Sequence, residues 1–127
     1  NVELIDHVLR IELLKKYNEA DILFLNLADL DCFKKVLPSK IFEYGSTGKP
    51  ILAGVSGFAK DFLIENVPSA YIFYPSNLEL CLKSFNVIRK NYKTFDSSNF
   101  KNKFSRNKIS KMLADEILDF TNLNEKN

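Results

Sequence analysis

"LPSKIFEYGSTGKPILA", residues 37–53, is the stretch that decides the fold of this chain. Pro38 is favoured at the first turn of a helix, and Gly48 supplies the left-handed residue at which a helix ends, so the stretch predicts a helix over 38–47. A Lys-Pro turn follows, and the apolar residues 51–53 predict a buried strand. The stretch therefore predicts a loop, a helix, a turn and a strand in close succession.

The segments on either side of this stretch alternate in the same way. Upstream, the patterns predict a short strand at 2–5, a helix at 10–18, a buried strand at 22–25 and a polar loop at 28–37. Downstream, they predict a loop at 54–57, a helix at 58–65, a strand at 70–74, a helix from its Asn77 cap to about 91, and an amphipathic helix at 106–120. Strands that alternate with helices form right-handed βαβ units. We therefore expect an α/β fold, a Rossmann-like three-layer sandwich with a parallel sheet of about four strands flanked by helices.

The length of 127 residues fits one domain with a real core. We expect this domain to cover residues 1–121 and to be followed by a frayed tail at 122–127. The chain opens almost directly on a predicted strand, whose free edge would be a liability. We therefore expect the chain to belong to a longer protein.

Composition excludes several classes of protein. No apolar run reaches the roughly 18 residues of a membrane span, and the N-terminus does not resemble a signal peptide. Cys32 and Cys81 are far apart and lack metal-ligand spacing, which favours reduced, buried thiols in a cytoplasmic protein. His7 is the only histidine. We expect neither a Ser-His-Asp triad nor a histidine metal site to be built from it.

Chemistry-bearing residues gather at the predicted helix 38–47. Lys40 and Glu43 are its only charged residues. Because ligands of parallel sheets bind at the carboxyl ends of the strands, the loops 26–38 and 54–58 should line the site. A helix start can hold an anion there, and Glu43 can accept hydrogen bonds from hydroxyls. A nucleotide sugar presents both groups.

Each of these residues also has a purely structural interpretation. Glu43 can be a solvated helix residue, Ser39 a helix cap, and Lys40 an exposed cation. Gly57 can allow the backbone to approach a donor closely or can simply form a turn.

The motifs resemble the C-terminal, nucleotide-sugar-binding half of a GT-B glycosyltransferase of the retaining family 4 type. The match is to the branch common in bacterial surface-polysaccharide synthesis. The stretches that carry it cover most of the chain: NVELIDHV at 1–8, YNEADILFLN at 17–26, LPSKIFEYGSTGKPILA at 37–53, GVSGFAKDFLIEN at 54–66 and RNKISKMLADEILDF at 106–120.

The resemblance assigns roles to individual residues. It implies that Glu43 holds the ribose hydroxyls, that the backbone of Ser39, Lys40 and Ile41 approaches the diphosphate, and that the backbone of Val8 meets the base.

The sequence departs from the family pattern at Lys35. The family has a glutamate there that contacts the transferred sugar, and Asp29 or Asp31 is the candidate replacement. No metal and no cofactor is implied, and the catalytic residues are not identified.

The resemblance implies that the chain is the donor-binding part of an enzyme that transfers a sugar from a nucleotide diphosphate to a polysaccharide or lipid-linked acceptor. The transferred sugar would be a hexose or an aminosugar, and the reaction would retain the anomeric configuration. The expected partners are a nucleotide-diphosphate sugar and an N-terminal GT-B domain. The resemblance also implies that the domain at 1–121 lacks its first strand and helix, so the 127 residues alone should be inactive. The alternative is a non-catalytic α/β module that binds an anion or a nucleotide and serves regulation.

Basic residues concentrate in the segment 83–111, where Asp96 is the only acidic residue. This charge predicts peripheral contact with an anionic membrane, at the inner face of the cell membrane, although a solvated surface is the simpler interpretation. Nucleic acid is not an expected partner, because surface aromatics are not interleaved with the charges at a readable spacing. The nine basic residues are Lys83, Arg89, Lys90, Lys93, Lys101, Lys103, Arg106, Lys108 and Lys111.

Overall fold

A computed structural model describes residues 1–124 of the chain. It has an α/β fold in which helices flank a parallel sheet, so the predicted fold class is confirmed. The elements in chain order are α1 (Arg10–Glu19), β1 (Leu23–Asn26), a 3₁₀ helix (Asp31–Lys35), α2 (Lys40–Gly45), β2 (Ile51–Gly54), α3 (Gly57–Asn66), β3 (Ala70–Phe73), α4 (Leu78–Lys90), α5 (Ser98–Phe104) and α6 (Arg106–Asn124).

The sheet has the order β1-β2-β3, and every pair is parallel. Its register aligns Leu23 with Ile51 and Ile51 with Ala70. The three strands therefore end together, and the loops that follow them meet at one edge of the sheet. The start of α2 follows the first of these loops.

The two faces of the sheet are covered by different helices. Because side chains alternate along a strand, Leu23, Leu25, Ile51 and Ala53 face one side, where they join a core with residues of α1, α2, α3 and α5. Leu52 and Phe73 face the other side and pack with Ile88 of α4. This arrangement gives the three layers of the sandwich.

The sheet has three strands in the described residues, so the prediction of about four was wrong. Residues 2–5 do not form the predicted strand, and the side chains of Val2 and Leu4 are 89% and 94% exposed. A strand is stabilised by hydrogen bonds to a neighbour and by burial of a face, and this segment has neither here. An apolar run alone does not provide them.

Helix α5 was not predicted: it lies between the predicted helices that end near 91 and begin at 106. Phe100 is buried in the core, and its ring lies 4.8 Å from that of Phe104. The two rings are one helical turn apart, a signal too short to stand out among Ser, Asn and Lys. Phe42 and Phe62 complete a cluster of four phenylalanines that fastens α5 to α2 and α3.

Three further expectations concern single positions. Helix α2, Lys40–Gly45, is shorter than the predicted helix 38–47, and Gly48 lies in the turn after it with the predicted left-handed φ of 72°. Asn77 caps α4 by accepting a 2.9 Å hydrogen bond from the Leu80 N–H. Cys32 is exposed, contrary to the expectation of a buried thiol. Helix α6 runs to Asn124, and the rest of the predicted tail, 125–127, lies outside the described residues.

Within residues 1–124, no helix is both long enough and apolar enough to cross a bilayer.

Candidate functional site

Glu43 lies at the centre of a hydrogen-bonded chain between α1 and α2. The Tyr17 hydroxyl donates to Glu43 Oε2 at 2.9 Å, and Lys40 Nζ donates to the Tyr17 oxygen at 3.2 Å. The Glu43 side chain is only 29% exposed. The carboxylate is therefore held in one orientation by a neutral donor, which leaves Oε1 available to other groups.

The position of Tyr17 follows from the packing of α1. Its ring is buried, 7% exposed, and meets the Tyr44 ring edge to face, with centroids 5.3 Å apart and planes at 87°. The apolar residues of α1 place this ring in the core, and only the hydroxyl reaches the polar edge. Packing of the ring thereby fixes the hydrogen bond to Glu43.

Two pKa values respond to this arrangement. The hydrogen bond to Tyr17 raises the pKa of the Lys40 ammonium above its usual value, and this effect outweighs partial burial, which lowers the pKa. Burial raises the pKa of the Tyr44 hydroxyl, and Tyr17 and Glu43 act in the same direction. Lys40 is therefore a cation and Tyr44 a neutral phenol at neutral pH.

Two arginines, Arg10 and Arg106, belong to the surroundings of Glu43. Arg10 Nη1 lies 4.0 Å from Glu43 Oε1, and the Arg10 side chain is 76% exposed. An ion pair so long and so exposed is weak, so Arg10 is free to turn toward a ligand. Arg106 begins α6 and lines the same cleft.

These residues line a cleft of about 460 Å³ between α1, α2 and the α5–α6 region, which we call the Glu43 cleft. Its size suits a small molecule. Its lining combines two guanidinium groups, one carboxylate and three serine hydroxyls with apolar walls. The lining residues are Arg10, Ser39, Phe42, Glu43, Ser46, Phe104, Arg106, Ile109 and Ser110.

The lining predicts a ligand that carries both an anion and hydroxyl groups. A guanidinium offers paired donors that match the oxygens of a phosphate, and Glu43 can only accept hydrogen bonds when ionised. Phe42 and Phe104 supply an apolar surface for a ring. One carboxylate and two arginines in the same cleft therefore permit recognition of both the hydroxyls and the anion of such a ligand.

Among the predicted site residues, the structure brings Glu43 and Ser39 into this cleft, and Lys40 stands behind Glu43 through Tyr17. Ser39 precedes α2 without making a side-chain cap, so its hydroxyl is not spent on the helix. Ile41 is different. Its side chain is 1% exposed, and its N–H donates to the Pro38 carbonyl at 3.0 Å.

Val8 and Gly57 do not line the cleft. Val8 is half-buried in the irregular segment that precedes α1. Gly57 opens α3 with a φ of 60°, and a Cβ atom there would collide with the Lys34 carbonyl. The glycine therefore lets the loops after β1 and β2 pack together, as the prediction of a shared edge requires.

Asp29 and Asp31, the candidate replacements for the acid expected at Lys35, have partners of their own. Asp29 accepts a 2.9 Å hydrogen bond from the Tyr74 hydroxyl, and Asp31 accepts one of 2.6 Å from Lys34. The Lys34 hydrogen bond lowers the pKa of Asp31, and the bond to Asp29 raises the pKa of Tyr74. Neither aspartate lines the Glu43 cleft.

Most of the site was not predicted from the sequence. The residues outside the prediction are Arg10, Tyr17, Phe42, Ser46, Phe104, Arg106, Ile109 and Ser110. Tyr17 falls within the predicted helix 10–18, but the pattern of that helix does not indicate that its hydroxyl reaches Glu43. Arg106 was counted only within the basic segment. Contacts between residues so distant in the sequence leave no local signal.

Other features of the described residues offer less chemistry. A second cleft, of about 520 Å³, lies beside β3, but its lining is mostly apolar with two lysines and no carboxylate. No cluster of three or more His, Cys, Asp or Glu residues in the described part of the chain could hold a metal ion.

Comparison of the chain with family models, with curated proteins and with solved structures found no match.

Proposed function

We propose that this chain is the donor-binding part of a glycosyltransferase and that it binds a nucleotide-diphosphate sugar in the Glu43 cleft. One observation carries the proposal: a carboxylate oriented by a buried tyrosine faces a cleft that it shares with two guanidinium groups. Such a cleft can bind the hydroxyls and the charged phosphates of one molecule at the same time.

Each side chain then has a distinct role. Glu43 Oε2 is engaged by Tyr17, so Oε1 and the remaining lone pairs accept hydrogen bonds from the ribose hydroxyls. Arg10 and Arg106 bind the diphosphate oxygens, and the hydroxyls of Ser39 and Ser110 add neutral donors. The Ser46 hydroxyl already donates to the Glu43 carbonyl at 2.7 Å. Lys40 contributes positive charge behind the carboxylate.

The reaction that this binding serves is cleavage of the bond between the anomeric carbon and the diphosphate oxygen. Negative charge grows on the departing diphosphate as the bond breaks, and guanidinium groups placed beforehand stabilise that charge. The acceptor and the rest of the catalytic machinery belong to the N-terminal domain of the complete enzyme. We therefore expect the 127-residue chain to bind the donor without transferring its sugar.

Calorimetric titration of the chain tests the proposal, with uridine, guanosine and adenosine diphosphates and with the matching nucleosides as probes. We expect one diphosphate to bind and its nucleoside to bind far more weakly, because the nucleoside lacks the group that the arginines recognise. Glu43→Gln should weaken diphosphate binding by about tenfold, the loss of one charge-assisted hydrogen bond. Arg106→Gln should weaken it similarly.

Glu65→Gln on α3 and Arg89→Gln on α4 are the matched controls, since both residues are exposed and lie away from the cleft. Equal losses in the controls, or the absence of binding by all three diphosphates, would contradict the proposal. If a longer protein containing this chain bound the donor but transferred nothing to any acceptor, the non-catalytic alternative would replace it.

A further inference from the structure

Lys40, Tyr17 and Glu43 form a chain of hydrogen bonds in which each donor can be assigned. Lys40 Nζ lies 3.2 Å from the Tyr17 oxygen, and that oxygen lies 2.9 Å from Glu43 Oε2. An ammonium group has three donors and no acceptor, whereas a phenol has a single proton to donate. Because the Tyr17 oxygen accepts from Lys40, its one proton is directed to Glu43.

The Lys40 ammonium remains a donor at neutral pH and has three contacts with tyrosines. The hydrogen bond to Tyr17 raises the pKa of Lys40 above its usual value. Lys40 Nζ also lies 5.8 Å from the centre of the Tyr17 ring and 6.0 Å from the centre of the Tyr44 ring, distances at which a cation is attracted to an aromatic face. Lys40 therefore offers the Tyr17 proton no alternative acceptor.

The direction of this chain decides what Glu43 can do in the cleft. Glu43 Oε2 accepts from Tyr17, and Arg10 Nη1 lies 4.0 Å from Glu43 Oε1. Both neighbours of the carboxylate are donors, so Glu43 meets the cleft as an acceptor. A ligand must then present a hydroxyl or another donor at this point.

We propose that Lys40 is a positioning residue that determines specificity: by fixing the direction of the Tyr17 proton, it makes Glu43 select ligands that present hydroxyl groups. Lys40 does not line the Glu43 cleft, so it acts through Tyr17. The inference rests on the proposed function and names the hydroxyls of the nucleotide sugar as the selected group. An acceptor in place of Lys40 would give the Tyr17 proton a second destination, and Glu43 would lose its fixed donor.

Nuclear magnetic resonance of the ligand-free chain tests the direction of the hydrogen bonds. The reporter is the side-chain carboxyl carbon signal of Glu43, and Tyr17→Phe gives the position of that signal without the donor. We expect Lys40→Gln to move the signal toward this position, because an amide oxygen can accept the Tyr17 proton. Lys40→Arg, which only donates, should leave the signal in place. An unmoved signal in Lys40→Gln would overturn the proposal.

Calorimetric titration tests the selectivity. The probes are the nucleoside diphosphate that the chain binds and its dideoxy form, which keeps the base and the diphosphate but lacks both ribose hydroxyls. We expect Lys40→Gln to weaken binding of the first probe by about threefold, part of the effect of losing one hydrogen bond, and to leave binding of the second unchanged. Lys40→Met removes the same charge without supplying a strong acceptor, so its effect on the first probe should be smaller.

Equal losses for the two probes would show that Lys40 acts as a charge on the diphosphate and would overturn the proposal. Equal losses in Lys40→Gln and Lys40→Met would also overturn it, because the direction of the proton would then be irrelevant. Lys40 is exposed, so its variants should keep the melting temperature of the unchanged chain, and Lys60→Gln on α3 is the matched control away from the cleft. If no diphosphate binds, the proposed function fails, while the carbon signal still decides whether Lys40 directs the Tyr17 proton.

Discussion

Tyr17 links the core to the candidate site at the scale of single residues. Its ring packs against Tyr44, while its hydroxyl receives a hydrogen bond from Lys40 and gives one to Glu43. One side chain thus contributes to stability and fixes the carboxylate that faces the cleft. It acts through Glu43 and is a positioning residue.

Tyr17→Phe separates these two contributions. The ring contact with Tyr44 is kept, but Glu43 and Lys40 lose their shared partner. We expect the free energy of unfolding to fall by about 1 kcal/mol, as for one lost hydrogen bond, and diphosphate binding to weaken as Glu43 gains freedom. Urea denaturation and calorimetric titration measure the two effects. Tyr92→Phe, at an exposed position of another surface, should change neither. Weaker stability with unchanged binding would remove the positioning role.

Residues of the site differ in how far the sequence predicts them. Lys40 and Glu43 stand out because charge is sparse in the helix that contains them, and the turn after it fixes their place relative to the sheet. Arg10 and Arg106 come to line the cleft beside Glu43 only in the folded chain, so no local pattern marks them. For Ile41 the family resemblance implies a backbone N–H that approaches the diphosphate, whereas in the structure this N–H donates to the Pro38 carbonyl.

At the scale of elements, the turn after α2 connects the site to the rest of the fold. Gly48 has a φ of 72°, its carbonyl accepts a 2.7 Å hydrogen bond from the Phe95 N–H, and its Cα faces the Phe95 carbonyl. Ser97 donates to the Ser46 carbonyl at 2.8 Å close by. The turn therefore fastens the segment that leads into α5.

Gly48→Ala should destabilise the protein by about 1–3 kcal/mol, because alanine at positive φ is strained and its Cβ would collide with the Phe95 carbonyl. Urea denaturation followed by circular dichroism gives the change. Ser46→Gly is a useful comparison: it sits two residues earlier, has helical backbone angles and should cost less. Equal losses would show that backbone strain at Gly48 is not the cause.

Elements with a strong period are predictable from this sequence, and elements that depend on a distant partner are not. The strands β1 and β2 and the capped helix α4 lie within a residue or two of their predicted bounds. β2 is buried throughout as predicted, whereas β1 is buried on one face only, because Phe24 is 56% exposed. Residues 2–5 have strand-like composition but no neighbouring strand to bond with. Helix α5 owes its place to Phe100, which inserts among rings from α2 and α3 that the local sequence does not contain.

At the scale of the whole molecule, the basic segment 83–111 does not form one surface. Its first part belongs to α4, which covers one face of the sheet, and its last part to α5 and α6 on the other side. Lys83 pairs with Glu79 at 2.8 Å, and Lys103 donates to Asn66 at 2.7 Å. A flat membrane can therefore meet only one of the two groups at a time.

Membrane contact stays a prediction, and the end of α4 is the group to test. Arg89, Lys90 and Lys93 flank the half-exposed Tyr92 there, a combination suited to a lipid interface. Changing all three cations to Gln should weaken binding to phosphatidylserine vesicles by about 1 kcal/mol per residue at low salt. Cosedimentation measures this. Failure of the unchanged chain to bind such vesicles would rule out the contact.

The strand order β1-β2-β3 has a consequence for the time course of folding. Each strand pairs with the one made just before it, so the growing sheet can add strands in the order in which the ribosome releases them. Parallel pairing is slow when distant segments must first find each other, and this order keeps every closure between consecutive units. Phe100 is the last of the buried core residues to be synthesised, and its insertion completes the core. We therefore expect nascent chains that end before α5 to keep a labile sheet, and protection against proteolysis to appear once that phenylalanine has been synthesised.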